Sequence, residues 1–196
     1  MTVARHPKLA SLLEQKSLRR GNFILASGKS STYYIDGKLT SMDPEGAAAI
    51  AEAIFAEIEN LPVDAVGGMD MGATPIIGAV ALHGYRSGRP LPTFVVRKDV
   101  KPHGTMKKIE GPIPTSPSNV VIIDDVVTSG KSILDAIDAV SLAGHRVVLA
   151  ISILDRNAGA SEALANRGIR YQPLAILEDI GVSNAPNLKN SEMGIG

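Results

Sequence analysis

The chain has 196 residues, 44% of them hydrophobic, with Lys plus Arg and Asp plus Glu matched at 20 each. That length supports a core of ordinary size, and the balanced charge argues against a polyanionic partner such as nucleic acid. The absence of cysteine excludes disulfides and thiolate metal sites and fits a cytoplasmic setting, while the apolar runs are too short or interrupted for a membrane span or a secretory leader.

Residues 5–18 place Leu9, Leu12 and Leu13 at helical spacing behind Pro7, which predicts an amphipathic helix. Phe23-Ile24-Leu25 and Thr32-Tyr33-Tyr34-Ile35 predict two short strands around Ser27-Gly28-Lys29-Ser30, a hairpin-like pair. Asp43-Pro44 starts a helix well, because Asp caps the first amides and Pro sits where no N–H is needed. Ile50, Ile54, Ile58 and Leu61 form its core stripe. From residue 63 strand and helix alternate: strand 63–67, helix 74–83, strand 93–96, strand 119–123, helix 131–143, strand 147–154. This alternation predicts an α/β fold with a parallel sheet and crossovers. The segment after Gly181, rich in Asn, Ser and Gly, reads as a tail.

The most informative stretch is 119–132. Val120 to Ile123 are four β-branched apolar residues, as expected of a strand buried on both faces, and Asp124 and Asp125 follow at its end. Thr128-Ser129-Gly130 then opens a helix carrying Ile133, Leu134, Ile137 and Val140. Free amides and the positive end of a helix dipole suit a phosphate monoester. Carboxylates there would repel a phosphate, so vicinal sugar hydroxyls are their natural partners. Phosphate plus diol points to a ribose 5-phosphate. Gly130-Lys131-Ser132 ends like a P-loop, but that motif needs a glycine at 125, where Asp stands.

Ligands of open parallel sheets gather at the carboxyl ends of strands. Three other predicted ends carry unusual residues: Gly67-Gly68-Met69-Asp70-Met71-Gly72, the run starting at Arg97-Lys98, and Asp155-Arg156. Between Arg97 and Lys108 stand five Lys or Arg and one His against a single Asp. A solvated charged loop, a nucleic-acid patch and a cationic lid over a phosphorylated substrate are the three readings.

Two motifs together carry a resemblance. The apolar strand, acid pair and Thr-x-Gly resemble the ribosyl-diphosphate signature of the type I phosphoribosyltransferases. Arg97-Lys98-x-x-Lys101-x-His103-Gly104 resembles the catalytic loop of the orotate phosphoribosyltransferases in that family. Ser27-Gly28 with Ser31 to Tyr34 resembles the hood segment, and Gly68 to Gly72 with Pro75 the pyrophosphate-side loop. The resemblance covers about residues 22–157.

It implies the type I phosphoribosyltransferase fold over one domain, 1–196, with a hood from about 1–42 and a tail from about 181–196. It implies transfer of ribose 5-phosphate from phosphoribosyl diphosphate to orotate in a homodimer whose lid is shared between subunits, with Mg²⁺ entering through the diphosphate. Lys98, Lys101, His103 and Asp125 would be catalytic. Arg97, Lys98, Lys101 and His103 would meet the diphosphate, with Asp124 and Asp125 on the ribose. Residues Val126, Val127, Thr128, Ser129, Gly130, Lys131 and Ser132 would hold the 5-phosphate. Thr128, Arg156, Tyr33 and Tyr34 would contact orotate, and no protein-only metal site is assigned. Ala26 and Met71 stand where many members have Lys, and Lys29 or the lid lysines would supply the missing charge. Another nucleobase, or a non-catalytic regulator of the same fold, are the alternative functions.

Overall fold

The computed structural model describes residues 4–24, 28, 30–98, 108–115 and 117–183. Helix α1 (Pro7–Leu12) runs into a π-helical turn, Leu13–Ser17, and buries Leu9, Leu12 and Leu13. Strands β1 (Leu18–Ile24) and β2 (Ser30–Ile35) pair antiparallel, as expected of a hairpin-like pair, although β1 begins five residues before the expected Phe23. After the short α2 (Lys38–Ser41), α3 (Pro44–Ile58) starts on Asp43, whose Oδ1 accepts from the amides of Glu45 and Gly46 at 3.1 and 3.0 Å. Ile50, Ile54 and Ile58 are fully buried, and Leu61 lies just past the helix end.

The remaining elements are β3 (Ala65–Met69), α4 (Thr74–Arg86), β4 (Thr93–Val96), β5 (Ile109–Glu110), β6 (Asn119–Val127), α5 (Lys131–Leu142), β7 (Arg146–Asp155), α6 (Ala160–Ala165), β8 (Tyr171–Ile176) and a 3₁₀ turn, Leu177–Ile180. They build a six-stranded sheet in the order β5-β4-β3-β6-β7-β8, parallel except for the short β5. Alternate residues of β6 feed two cores. Val121 and Ile123 pack with α1, α3 and α4, while Val120 and Ile122 pack with α5 and α6. A parallel strand covered on both faces needs this continuous apolar run.

Two expectations are corrected here. β3 ends at Met69 rather than 67, so Gly67 and Gly68 are buried strand residues and not a ligand-facing turn. Their missing side chains make room for neighbours: a Cβ would fall 2.4 Å from the Phe94 ring at Gly67 and 2.0 Å from the Ile123 carbonyl oxygen at Gly68. β6 likewise continues through both acids to Val127, because β7 keeps pairing with it as far as Asp155. The short α6, β8 and the 3₁₀ turn have no counterpart in the sequence-based reading. The tail beyond residue 183 lies outside the described residues.

Candidate active site

The carboxyl ends of β3, β4, β6 and β7 lie on one edge of the sheet, and the candidate residues follow these ends. Asp124 is 5% exposed and accepts from the Asp125 amide at 2.9 Å. Burial, and next the charge of Asp125, push its carboxyl up to about 6, while the nearby Ser132 hydroxyl and the Asp125 amide act in the opposite direction. Asp125 is more accessible. Its Oδ1 accepts from the Val126 amide at 2.7 Å, and its Oδ2 lies 3.9 Å from the Lys38 ammonium.

That geometry narrows the expected anion nest. The Val126 amide is engaged by Asp125, and Val127 is buried in the strand. The turn Thr128–Gly130 and the start of α5 remain. Gly130 takes the left-handed φ of 78° that caps α5 and offers no capping side chain. The first intrahelical bond runs from the Leu134 amide to the Gly130 carbonyl at 2.9 Å, so the amides of Lys131, Ser132 and Ile133 have no partner inside the helix. Thr128 and Ser129 are exposed beside them. Lys131 pairs with Asp135 at 2.8 Å, which lays its ammonium along the helix.

The loop after β3 comes down on the acid pair. The Asp70–Met71 peptide is cis, Asp70 accepts from the Thr74 hydroxyl at 2.9 Å, and Met71 is 69% exposed. Gly72 is the contact point. A Cβ there would fall 2.7 Å from Oδ1 of Asp124 and 2.7 Å from Oδ1 of Asp125.

Arg97 anchors the root of the basic loop. Its amide donates to the Lys108 carbonyl at 2.8 Å and its Nη1 to Glu110 Oε1 at 3.0 Å. Lys98 is exposed, and Lys101 and His103 lie outside the described residues, as does Lys29. Only β3 stands between β4 and β6, so at about 4.8 Å per strand the root lies on the order of 10 Å from the strand bearing the acids.

On the other side of the acids, the Arg156 amide donates to the Val127 carbonyl at 2.9 Å, and its guanidinium lies 5.6 Å from the centre of the Tyr33 ring. The structure separates the two tyrosines expected to act together. Successive side chains of a strand point oppositely, so Tyr33 meets Arg156 while Tyr34 packs on Phe23 with ring centres 5.8 Å apart.

Two features escape the sequence-based reading. Lys38 reaches Asp125 from the start of α2, which approaches the acids closely because Gly37 has no side chain: a Cβ there would fall 2.8 Å from Val126 Cγ2. The buried Asp155 on β7 pairs with the half-buried Tyr171 on β8. No local spacing signals either one.

Among known proteins, the family model described as the phosphoribosyl transferase domain matches residues 42–169. An orotate phosphoribosyltransferase of Synechocystis is 40% identical, the match covering 88% of this chain and 86% of that protein. One from Rhodopseudomonas palustris is 39% identical, over 87% and 93%. Among solved structures, the Mycobacterium tuberculosis orotate phosphoribosyltransferase in complex with 5-phospho-α-D-ribosyl 1-diphosphate superposes with a TM-score of 0.77 at 31% identity, over 90% of this chain and 99% of that one.

Proposed function

The chain belongs to the phosphoribosyl transferase domain family, and from that premise we infer that it transfers ribose 5-phosphate from phosphoribosyl diphosphate to N1 of orotate. The products are orotidine 5′-monophosphate and diphosphate, a step of pyrimidine biosynthesis. The observation that carries the reading is the convergence of Gly72, the acid pair and Arg156 on one sheet edge.

The chemical problem is a C1–O bond that breaks through a cation-like sugar while a polyanion departs, so positioning and electrostatics must supply the acceleration. Asp124 and Asp125 hold the ribose hydroxyls and favour positive charge on the ring. Thr128, Ser129 and the amides of 130–132 hold the 5-phosphate at the open end of α5. Arg97, Lys98, Lys101 and His103 meet the diphosphate. Arg156, whose planar fork matches a carboxylate, reads orotate with Tyr33 beside it.

The donors fit Mg²⁺, a hard cation that prefers oxygen ligands and retained waters. It would be held by the diphosphate with Asp125 as the accessible carboxylate, and it would supply neutralisation of the leaving group. Met71 and Ala26 leave the site short of two lysines common in the family, and Lys38 brings a described cation to it. No helix among the described residues is long and apolar enough to cross a membrane, and a cytoplasmic enzyme is proposed.

The active form is proposed to be a homodimer. A groove of about 890 Å³ between α3 and α4 exposes Met42 and Leu82 beside Pro44, Pro75 and Ala79, an apolar face suited to a second copy. The basic loop would then serve the neighbouring site. Mixing a Lys101→Ala chain with an Asp125→Asn chain leaves one intact site in each heterodimer, so about a quarter of wild-type activity returns on random pairing; recovery of nothing contradicts a shared loop.

The activity itself is read from the loss of orotate ultraviolet absorbance with phosphoribosyl diphosphate, with and without Mg²⁺. Turnover with orotate, and none with uracil, adenine or hypoxanthine, is the expected result. Turnover of another base in place of orotate overturns the assignment.

A further inference from the structure

Asp155 is the buried acid that the transfer chemistry leaves unused. It closes β7, is 2% exposed, and has both oxygens engaged. Oδ1 accepts from the Asn157 amide at 2.8 Å, and Oδ2 accepts from the Tyr171 hydroxyl at 3.0 Å. Since the Tyr171 proton points to Asp155, Ser152 donates in the 2.6 Å contact between its Oγ and the Tyr171 oxygen. Burial above all, with the charge of Asp155, keeps that hydroxyl protonated.

Asn157 adopts a left-handed φ of 51°, which Asn tolerates better than most residues, and its Nδ2 donates to Glu178 Oε2 at 3.0 Å. Arg156 therefore sits between two anchored neighbours, with its own amide tied to Val127. Groups from β6, β7, β8 and the 3₁₀ turn all converge on this three-residue stretch.

We propose that Asp155, Tyr171 and Asn157 are positioning residues that aim the Arg156 guanidinium at the carboxylate of the base, and so set the preference for a carboxylated pyrimidine over an uncharged one. The proposal rests on the orotate reading above. A guanidinium pairs bidentately only when its plane is presented correctly, so small losses of alignment are costly. Without the Tyr171 hydroxyl, Asp155 loses one donor and the 155–157 turn loosens. Arg156 then remains present but is no longer held in one direction.

The test is calorimetric titration of the full chain with orotidine 5′-monophosphate and with uridine 5′-monophosphate, which differ in that carboxylate alone. General damage to the fold weakens both, so the ratio of the two Kd values isolates the aim of Arg156. Wild type is expected to prefer the orotidine nucleotide, and Arg156→Ala to erase the preference. Tyr171→Phe should cut the ratio about tenfold while the Kd for the uridine nucleotide stays within about twofold, and Asn157→Ala should act in the same direction. A wild-type preference that Tyr171→Phe leaves intact, even with a lowered Tm, overturns the positioning role alone. Equal binding of both nucleotides by wild type overturns the orotate reading and this role with it.

Discussion

Asp124→Asn is expected to yield a more stable and nearly inactive protein. The folded state holds this carboxyl near 6, above its ordinary value of 3.8, chiefly because it is buried and then because Asp125 is ionised beside it. A raised folded value means that the native state favours the protonated form. The destabilisation is therefore absent below about pH 4, grows as pH rises toward 6, and is constant above. The full shift corresponds to at most about 3 kcal/mol, and part of it belongs to the pair rather than to Asp124. Asn keeps an oxygen for the Asp125 amide and removes the charge. At about 2–4 °C per kcal/mol for a chain of this size, Tm at pH 8 should rise by roughly 5 °C, and the gain should vanish at pH 4. Activity should fall about 10²–10³-fold, because the acceptor proposed for the ribose is lost as its charge is needed. Thermal melts at the two pH values with kcat/KM decide it: an unchanged or lower Tm at pH 8 removes the premise that burial strains this acid.

Gly72→Ala should inactivate the enzyme without unfolding it. The new methyl would stand 2.7 Å from an oxygen of each carboxylate, closer than such atoms approach. Neither acid yields freely, since Asp124 is held by the Asp125 amide and Asp125 by the Val126 amide. Either the acids rotate off the proposed ribose site or the β3–α4 loop lifts away. Both displace the reacting groups on the scale of an ångström, which costs about 100-fold in kcat/KM. Circular dichroism should match wild type. A variant with wild-type kcat/KM would show that the loop and the acids do not act as one unit.

The regular elements were legible because burial leaves an apolar run or a period in the sequence. Val120 to Ile123, the Ile50, Ile54 and Ile58 stripe, and the Asp43-Pro44 start all appear where local pattern places them. The acid pair and the Thr128–Gly130 turn were legible for the same reason, since they stand out against the apolar run that precedes them. The errors also follow from local reading. Charge suggested that β6 stops at Ile123, yet pairing with β7 carries it through Asp124 and Asp125. Glycines 67 and 68 suggested a ligand loop, yet the Phe94 ring and the Ile123 carbonyl occupy the space that their side chains leave.

Sequence alone determined the α/β class, the acid pair and turn of residues 119–132 on which the proposed ribose-phosphate chemistry rests, and the cationic character of 97–108, because each is written in neighbours along the chain. Tertiary structure decided that Gly72 rests on the two acids, that Lys38 reaches Asp125, that Tyr33 rather than Tyr34 meets Arg156, and that Tyr171 braces Asp155. Those contacts join residues from different strands and helices. Strand order and the volume of missing side chains set them, and neither quantity leaves a period in the sequence.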